Sequence, residues 1–316
     1  MLNCKVLKGF FLIGIFCLFQ VLGFGSTGSP VFLVFGAKTG WIGQKLVHCI
    51  QEKGYLAVAA EARLEDRFSV ESEIKNIQPD YIINAAGLTG RPNIDWCEVH
   101  QVETIRANLI GALNLMDIAN VYGIHVTNFG TGCIYQYDEM HPMYSGKGFT
   151  EEDIPNFSGS FYSRTKGMLN TLIQSYPNVL NLRVRMPISS DLHPRSFITK
   201  IVHYEKVINI PNSVTILDDL LPVAIDMTVK NCRGNYNFTN PGTISHNELL
   251  ALYREYIDPN FSWKNFTIEE QDCILKAPRS NNELDVSKLM REFPNIPHVS
   301  ESIRNVFIKI KNSLKG

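Results

Sequence analysis

The sequence predicts a doubly wound α/β fold, in which helices cover both faces of a parallel sheet. From Pro30 onward, short apolar runs alternate with amphipathic stretches, which is the pattern of consecutive βαβ units. A glycine-rich loop lies between the first apolar run and the first amphipathic stretch. The composition, 45% hydrophobic and 19% charged over 316 residues, is that of a globular protein and excludes a disordered or collagen-like chain.

The predicted elements alternate regularly as far as residue 187. Strands are expected at 31–35, 55–60, 80–84, 125–129 and 179–184, and helices at about 41–53, 70–77, 103–122 and 160–174. Beyond residue 187 the predicted strands and helices no longer alternate regularly. A helix near 198–204, strand-like residues at 235–238 and helices at 246–256 and 300–310 indicate a smaller C-terminal lobe for the substrate. We therefore expect a domain at 31–187 and a lobe at 188–316.

The N-terminal segment 1–30 differs from the rest of the chain. Residues 9–30 carry no charge and include an apolar run at 10–24, which is typical of a signal peptide or a short membrane anchor. A poorly ordered extension is the alternative.

Cysteine usage indicates a cytoplasmic catalytic region, and the net charge bears on the choice of partner. The 7 cysteines are odd in number and scattered, with no C-x-x-C pair, so neither a disulfide framework nor a zinc cluster is expected. We expect most of them to be reduced and buried, and no metal to be needed. The net charge of -1 supplies no global positive field, which argues against nucleic acid as a partner.

The glycine loop predicts a dinucleotide site of the Rossmann type. It follows the first strand, so that a helix N-terminus and backbone N–H groups can hold a pyrophosphate. The first glycine interval is one residue longer than in G-x-x-G-x-x-G. The expected cofactor residues are Gly36, Lys38, Thr39, Gly40, Trp41, Ile42 and Gly43, with Ala85, Ala86 and Gly87 after the third strand.

The end of the second predicted strand bears on the choice of cofactor. Glu61 can accept hydrogen bonds from the ribose hydroxyls of NADH, whereas Arg63, helped by Lys38, can pair with the 2′-phosphate of NADPH. Two solvated side chains are the simpler alternative. The sequence favours NADPH, with NADH as the other option.

Three residues form a candidate catalytic set. Tyr162 and Lys166 lie one turn apart on a predicted helix, where an ammonium group favours phenolate. A Y-x-x-x-K match is usually a solvated helix face, but here it follows the glycine loop and a Gly-Thr-Gly turn in order. Thr131 in that turn ends a strand, and ligands bind beyond the carboxyl ends of parallel strands. Tyr162 and Lys166 are expected to contact the cofactor as well.

Longer strings carry a more specific resemblance over nearly all of residues 31–310. They include KTGWIG, GRPNIDWCE, NFGTGCIYQYD, GFTEEDIPNFSGSFYSRTKG, LRVRMPISSDL and APRSNNELD. The chain resembles the nucleotide-4-keto-rhamnose 3,5-epimerase/4-reductase domain of plant rhamnose synthases and, more distantly, bacterial dTDP-4-dehydrorhamnose reductases of the extended short-chain dehydrogenase/reductase superfamily. The family loop reads G-K-T-G-W-I-G, so the inserted Ala37 departs from it and puts the phosphate geometry in question.

The resemblance implies reduction, by NAD(P)H, of the 4-keto group of a dTDP- or UDP-linked 6-deoxy-4-keto hexose, with Thr131, Tyr162 and Lys166 at the catalytic positions. It also implies 3,5-epimerisation, with Cys133 and Lys200 as the acid/base pair. The alternative for Cys133 is a small buried residue at a strand end, and for Lys200 an exposed helix lysine.

Further residues are candidates for substrate binding. Arg185, Arg195, Arg279 and Asn281 can meet the diphosphate or the sugar, although an isolated arginine is more often part of a surface ion pair. His246 is expected only to shape a turn and help cap the next helix.

Two other classes of function stay open. One is a non-catalytic NAD(P)-binding regulatory subunit, for which the Ala37 insertion leaves room. The other is a sugar-nucleotide 4-epimerase or 4,6-dehydratase, which regenerates its cofactor in each cycle. The sequence does not choose between dTDP and UDP. A homodimer and contacts with other enzymes of the rhamnose pathway are the protein partners considered.

Overall fold

The computed structural model of the chain describes residues 28–91 and 93–315. The predicted signal peptide or anchor at 1–30 lies outside this part, apart from residues 28–30. None of the helices in the described ranges has the length and apolar character needed to cross a bilayer.

The centre of the molecule is a six-stranded parallel sheet in the order β2-β1-β3-β4-β5-β8. Two short pairs lie outside it, β6 with β10 and β7 with β9. The strands are β1 (Val31–Phe35), β2 (Leu56–Ala59), β3 (Tyr81–Asn84), β4 (His125–Thr131), β5 (Val179–Val184), β6 (Lys206–Val207), β7 (Pro211–Asn212), β8 (Gly234–Asn237), β9 (Ile244–Ser245) and β10 (Lys264–Asn265).

Helices cover both faces of this sheet, as predicted for a doubly wound fold. They are α1 (Trp41–Glu52), α2 (Arg67–Ile77), α3 (Trp96–Val99), α4 (Gln101–Ile105), α5 (Gly111–Val121), α6 (Phe161–Leu172), α7 (Phe197–Ile201), α8 (Leu217–Val229), α9 (His246–Tyr256), α10 (Ile268–Ile274), α11 (Ser287–Glu292) and α12 (Val299–Ser313). A 3₁₀ turn follows α6.

The core divides into two layers because side chains alternate along the strands. In β1, Phe32 and Val34 pack with α1, α8 and α11, whereas Leu33 and Phe35 pack with α2, α5 and α6. A third cluster, away from the sheet, joins α7, α9 and α12. Its apolar side chains form the core of the predicted smaller lobe.

Two elements that follow residue 187 belong to the sheet and not to the lobe. The strand-like residues near 235–238 form β8, which pairs with β5, and α8 packs on α1. Helix α8 was not predicted. It is apolar on most of its surface and contains Pro222, so that neither a polar face nor an uninterrupted helical sequence marked it. The division at 187/188 stays a prediction.

The long predicted helix at 103–122 is interrupted by a π-helical turn at Arg106–Ile110. Asn108 in this turn is buried, and its side chain donates to the Leu88 carbonyl and accepts from the Leu88 N–H, both at 2.7 Å. Such turns are frequent at functional sites. Here the turn holds the segment that follows β3 against the sheet edge.

A ladder of four buried asparagines fixes the register of the sheet. Each amide donates to the next across neighbouring strands, from Asn84 to Asn128 at 2.9 Å, then to Asn181 and to Asn235, both at 2.8 Å. A shift of one residue would leave these amides unpaired in the core. At the start of the ladder the side-chain oxygen Oδ1 of Asn84 accepts from the Ala86 N–H, which orders the turn after β3.

Five cysteines fall in the described part of the chain, and all are free thiols. Cys97 is buried, Cys273 is exposed, and Cys49, Cys133 and Cys232 are half-buried. The expectation of reduced cysteines therefore holds for these five, but the expectation that most are buried was wrong.

Candidate active site

The loops that follow β1, β2 and β3 leave the sheet at the same edge, because the three strands are parallel neighbours. β1 is the point where the chain changes direction across the sheet, and ligands of such folds bind at that position. The loops enclose a cavity of about 430 Å³, named here the glycine-loop cleft. Its lining comprises Phe35, Gly36, Lys38, Thr39, Gly40, Ala60, Glu61, Ala62, Arg63, Leu64, Glu65, Ala85, Ala86, Gly87, Leu88, Glu103, Arg106, Ala107 and Arg195.

The glycine loop has the close packing that a phosphate cradle requires. Gly36 has φ +82°, and a Cβ placed there would lie 2.6 Å from the Ala86 nitrogen. The Gly40 N–H donates to the Gly36 carbonyl at 3.1 Å, which closes the loop one residue before α1 begins. The inserted Ala37 is buried among the core residues behind the loop. The insertion is therefore accommodated on the protein side and leaves the helix N-terminus facing the cleft.

Three predicted cofactor residues of the loop do not line the cleft, and neither do Tyr162 and Lys166 of α6. The Trp41 indole is buried, donates to Asp191 at 2.7 Å and stacks on His193. Ile42 packs against the core, and a Cβ on Gly43 would lie 2.6 Å from the Gly36 carbonyl carbon. These residues support the loop from behind, whereas the other predicted residues of the loop and of the Ala85–Gly87 turn line the cleft.

Both acidic and basic side chains surround the end of β2. Lys38 forms an ion pair with Glu61, and Arg63 pairs with Glu65 at 3.2 Å. The Glu73 carboxylate of α2 accepts from the backbone N–H groups of Glu61 and the next residue, both at 2.8 Å. Because Lys38 pairs with the Glu61 carboxylate, the negative charge of that carboxylate is already balanced. The Arg63 side chain is 83% exposed over the cleft.

Helix α6 presents the predicted catalytic pair to the end of β4. It begins after Ser160, whose hydroxyl accepts from the Ser163 N–H at 3.0 Å. Burial raises the pKa of Tyr162, as does the neighbouring Cys133, while a hydrogen bond from the Thr131 hydroxyl lowers it. Burial lowers the pKa of Lys166 to about 8. The structure thus brings Thr131, Tyr162 and Cys133 together, and Lys166 lies one turn after Tyr162 in α6.

Cys133 is held at the end of β4 by two contacts. Its backbone N–H donates to the Thr131 hydroxyl oxygen at 3.1 Å, and its Sγ accepts from an Arg185 Nη1 hydrogen at 3.1 Å. The sulfur is half-buried at the wall of a second cavity.

This second cavity, named here the Cys133 cavity, measures about 530 Å³ and lies between the sheet domain and the lobe. Tyr162 lines it together with Cys133, so a ligand in the cavity reaches both side chains. The remaining lining residues are Asn93, Ile94, Ser163, Arg185, Met186, Phe197, His203, Tyr204, Glu205, Lys206, Val207, Ile208, His246, Phe266, Gln271, Ile274, Leu275, Arg279, Ser280 and Asn281.

The predicted substrate residues separate into two groups. Arg279 and Asn281 line the Cys133 cavity; Arg279 pairs with Asp95 at 2.7 Å, and Asn281 accepts from Asn212 at 2.9 Å. Arg195 lies instead in the glycine-loop cleft. Its residue type had suggested the diphosphate or the sugar of the substrate, but the loop at 189–196 folds back towards α1.

Arg185 and Lys200 also differ from expectation. The Arg185 guanidinium is fully buried and hydrogen-bonded to protein groups, which leaves it no free fork for a diphosphate. Lys200 lines neither cavity. It is half-buried in α7, and burial, then the nearby Arg195, lowers its pKa.

Sequence reasoning missed much of the Cys133 cavity. His246 was assigned to helix capping, but Ser245 forms the capping box with Glu248, and the His246 ring faces the cavity. Burial, then Arg185, lowers the pKa of His246 to about 4. Tyr204 and Phe266 come from short irregular segments without any recognisable motif.

Comparison with known proteins shows the family of the chain. Residues 32–209 match the NAD dependent epimerase/dehydratase family, and the chain belongs to that family. It is 56% identical over 279 residues to a bifunctional dTDP-4-dehydrorhamnose 3,5-epimerase/dTDP-4-dehydrorhamnose reductase of Arabidopsis thaliana, covering 88% of this chain and 92% of the relative.

Two further relatives extend the comparison. A trifunctional UDP-glucose 4,6-dehydratase/UDP-4-keto-6-deoxy-D-glucose 3,5-epimerase/UDP-4-keto-L-rhamnose-reductase of Arabidopsis thaliana is 55% identical; the match covers 88% of this chain but 42% of that longer protein. The crystal structure of the L780 UDP-rhamnose synthase of Acanthamoeba polyphaga mimivirus superposes with a TM-score of 0.85 at 44% identity, covering 89% of this chain and 100% of that one.

These relatives confirm the predicted resemblance, the Rossmann-type fold and the assignment to an NAD(P)-dependent enzyme class. A dTDP-4-dehydrorhamnose reductase of Bacillus anthracis, at 17% identity and a TM-score of 0.75, shares the fold. The individual site residues rest on the geometry described above.

Proposed function

We propose that this protein reduces the 4-keto group of a dTDP- or UDP-linked 4-keto-rhamnose with NADPH, and that it also epimerises carbons 3 and 5 of the 4-keto-6-deoxyglucose nucleotide. One observation carries the proposal: Tyr162 and Cys133 line the same cavity. A proton donor for a keto oxygen and a thiol for the neighbouring carbons therefore act on one bound sugar.

The glycine-loop cleft fits a dinucleotide. The cradle at Gly36 and Gly40 admits a pyrophosphate, and the exposed Arg63 suits a 2′-phosphate. Arg195 adds a second cation at the same cleft. A reduced nicotinamide, when bound there, supplies the hydride for the keto carbon.

Tyr162 donates the proton that the reduced oxygen needs. Thr131 donates a hydrogen bond towards the phenol. The role proposed for Lys166, one turn further along α6, is to stabilise with its ammonium group the phenolate left behind. Because the pKa of Lys166 is lowered to about 8, this lysine keeps its charge at neutral pH and loses it above that value. Proton donation is therefore supported below pH 8 and weakened above it.

Epimerisation uses the acidity of protons next to the keto group. The Cys133 thiolate removes a proton from carbon 3 or 5, the C–H electrons form an enolate, and the oxygen of that enolate is placed to receive hydrogen bonds from Tyr162. A proton must then return on the opposite face. Lys200 stays a prediction for this second role, because it lies outside the cavity lining.

The experiment combines purified protein, NADPH and the 4-keto-6-deoxyglucose nucleotide, with the dTDP and UDP forms in separate reactions. Formation of the rhamnose nucleotide with loss of NADPH absorbance supports both activities. Turnover that requires an added epimerase limits the protein to reduction. Binding of NADPH without turnover on either sugar contradicts the proposal and favours the regulatory-subunit reading, and product formation without net NADPH use favours a 4-epimerase or 4,6-dehydratase.

We also propose that the protein forms a homodimer through α4, the π-helical turn and α6. Val102, Ile110, Met168 and Leu172 are 67%, 45%, 59% and 47% exposed, although all four are apolar. Met168→Glu is expected to give a monomer in light scattering, whereas Phe68→Glu, which changes the 80% exposed Phe68 of α2, leaves the dimer intact. A monomeric wild-type protein contradicts the proposal.

A cytoplasmic site for the catalytic region is supported by its five free thiols. Fusion of residues 1–30 to a reporter tests it, since export of the reporter would contradict a cytoplasmic protein.

A further inference from the structure

A fully buried guanidinium lies directly behind Cys133. Arg185 follows β5, is 1% exposed, and donates to four acceptors, none of them a carboxylate: Cys133 Sγ at 3.1 Å, Ser280 Oγ at 3.2 Å, the Ser280 carbonyl at 2.5 Å and Asn212 Oδ1. Among the side chains that the structure describes, no carboxylate forms an ion pair with it. Burying a charge without a counterion is costly, so this arrangement calls for an explanation.

The other titratable groups that face Arg185 do not supply a negative charge. Burial raises the pKa of Tyr137, and its phenol donates to the Pro211 carbonyl at 3.0 Å. His246 is neutral at pH 7, because burial and then Arg185 lower its pKa to about 4. Tyr162 stands on the other side of Cys133 and is a neutral phenol at that pH, because burial raises its pKa.

Burial also lowers the pKa of Arg185, yet a guanidinium keeps its proton in proteins. Of the groups in contact with Arg185, the Cys133 sulfur is therefore the one whose chemistry as a base and nucleophile requires an anion, the thiolate.

We propose that Arg185 is a positioning residue that stabilises the thiolate of Cys133 and directs its sulfur into the Cys133 cavity. The inference rests on the proposed epimerase activity. When the thiolate takes a proton from the sugar carbon, the sulfur becomes a neutral thiol and the electron pair of the C–H bond moves into the enolate. The reverse transfer restores the pair of Arg185 and thiolate. The substrate role that the sequence predicted for Arg185 is replaced by this one.

The test measures the rate of Cys133 alkylation by iodoacetamide against pH, by mass spectrometry of the Cys133 peptide. In the wild type, the midpoint for Cys133 should lie below that of Cys273, an exposed thiol of the same chain. Arg185→Met should slow alkylation of Cys133 at pH 7 by at least about 10-fold, which corresponds to a shift of one pH unit, and Arg185→Lys should restore part of the rate.

Arg183→Met is the matched control. Arg183 is also 1% exposed and lies two residues earlier in β5, but its guanidinium donates to Asn170 at 3.0 Å and to the Glu151 carbonyl at 3.2 Å. This variant loses an equally buried cation without touching Cys133. Equal alkylation profiles for the two Met variants overturn the inference. If Arg185→Met does not fold, a wild-type midpoint for Cys133 at or above that of Cys273 overturns it instead.

A second readout separates this inference from the proposed function. Without NADPH, protons on carbons 3 and 5 of the substrate should exchange with D₂O, and Arg185→Met should slow the exchange by at least about 10-fold relative to Arg183→Met. Absence of exchange in the wild type contradicts the epimerase proposal, while a displaced alkylation profile still supports the pairing of Arg185 with Cys133. Normal exchange in Arg185→Met overturns the inference alone.

Discussion

The glycine-loop cleft and the Cys133 cavity are built in different ways. The cleft takes most of its lining from three successive strand ends within residues 35–107, and many of these residues are glycines or alanines, whose small side chains leave the backbone accessible. The cavity collects side chains from segments spread over residues 93–281. A site made of backbone at strand ends is therefore visible as a short motif, whereas a site made of dispersed side chains depends on how distant segments pack.

The largest expected effect comes from Tyr162, which lines the Cys133 cavity. Tyr162→Phe removes the proton donor but keeps the ring, so kcat for reduction should fall by about 10²–10⁴-fold. The dissociation constant for NADPH, measured by fluorescence quenching, should stay within about 3-fold, because the cradle lies in the other region. Loss of NADPH binding together with kcat would show that the two regions are not separable.

The Cys133 cavity should carry an acid-sensitive contribution to stability through His246. Burial lowers the pKa of His246 to about 4, whereas the pKa of this histidine in the unfolded chain is about 6.5. Between these values the unfolded state binds more protons, so the contribution is complete above pH 6.5 and is lost as the pH falls to 4. The free energy of unfolding in urea should drop by about 3 kcal/mol for this group.

His246→Gln should remove that contribution and leave the one from His125, whose pKa burial also lowers to about 4. His125 lies in β4 beneath Tyr81 and outside both cavities. His125→Phe is the reciprocal variant. An unchanged pH dependence in His246→Gln would show that this histidine is not kept neutral by its cavity.

NADPH binding in the glycine-loop cleft should be weakened by a single methyl group added to the backbone at Gly36. Gly36→Ala forces a side chain at φ +82° towards the Ala86 nitrogen and should weaken NADPH binding by about 1–3 kcal/mol. Gly54→Ala is the control, because Gly54 has φ +79° but a Cβ placed there would have no heavy atom within 4 Å. Calorimetric titration with NADPH distinguishes a local clash from general backbone strain, and equal losses in both variants would refute the cradle.

The smallest expected effect concerns cofactor choice. Arg63→Ala should raise KM for NADPH by about 10-fold and leave KM for NADH within about 2-fold, because a guanidinium adds a charge-assisted bond only to the 2′-phosphate. Arg67→Ala removes a nearby cation that pairs with Asp117 instead, and should change neither value. Equal changes for both cofactors would assign Arg63 a structural role.

How far the sequence could predict the site depends on the range of each interaction. The predicted helix was sufficient to place Tyr162 and Lys166 on one face, because its period sets that face. The predicted end of a strand was sufficient to place Thr131. Arg185 had the right residue type for a diphosphate, but Asn212 and Ser280 reach it from segments far along the chain and bury it. Arg195 lies in the glycine-loop cleft because the loop at 189–196 folds onto Trp41 and Lys45.

The sequence by itself determined the parallel sheet, the glycine loop at its centre and the family resemblance, because periodicity, turn glycines and long strings of residues are local properties of the chain. Only the tertiary structure decided that β8 and α8 return to the sheet, that Ala37 is buried behind the loop, and that Cys133 faces a guanidinium without a carboxylate partner in the described chain. These features depend on contacts between residues far apart in sequence, whose geometry is set by the packing of the whole core.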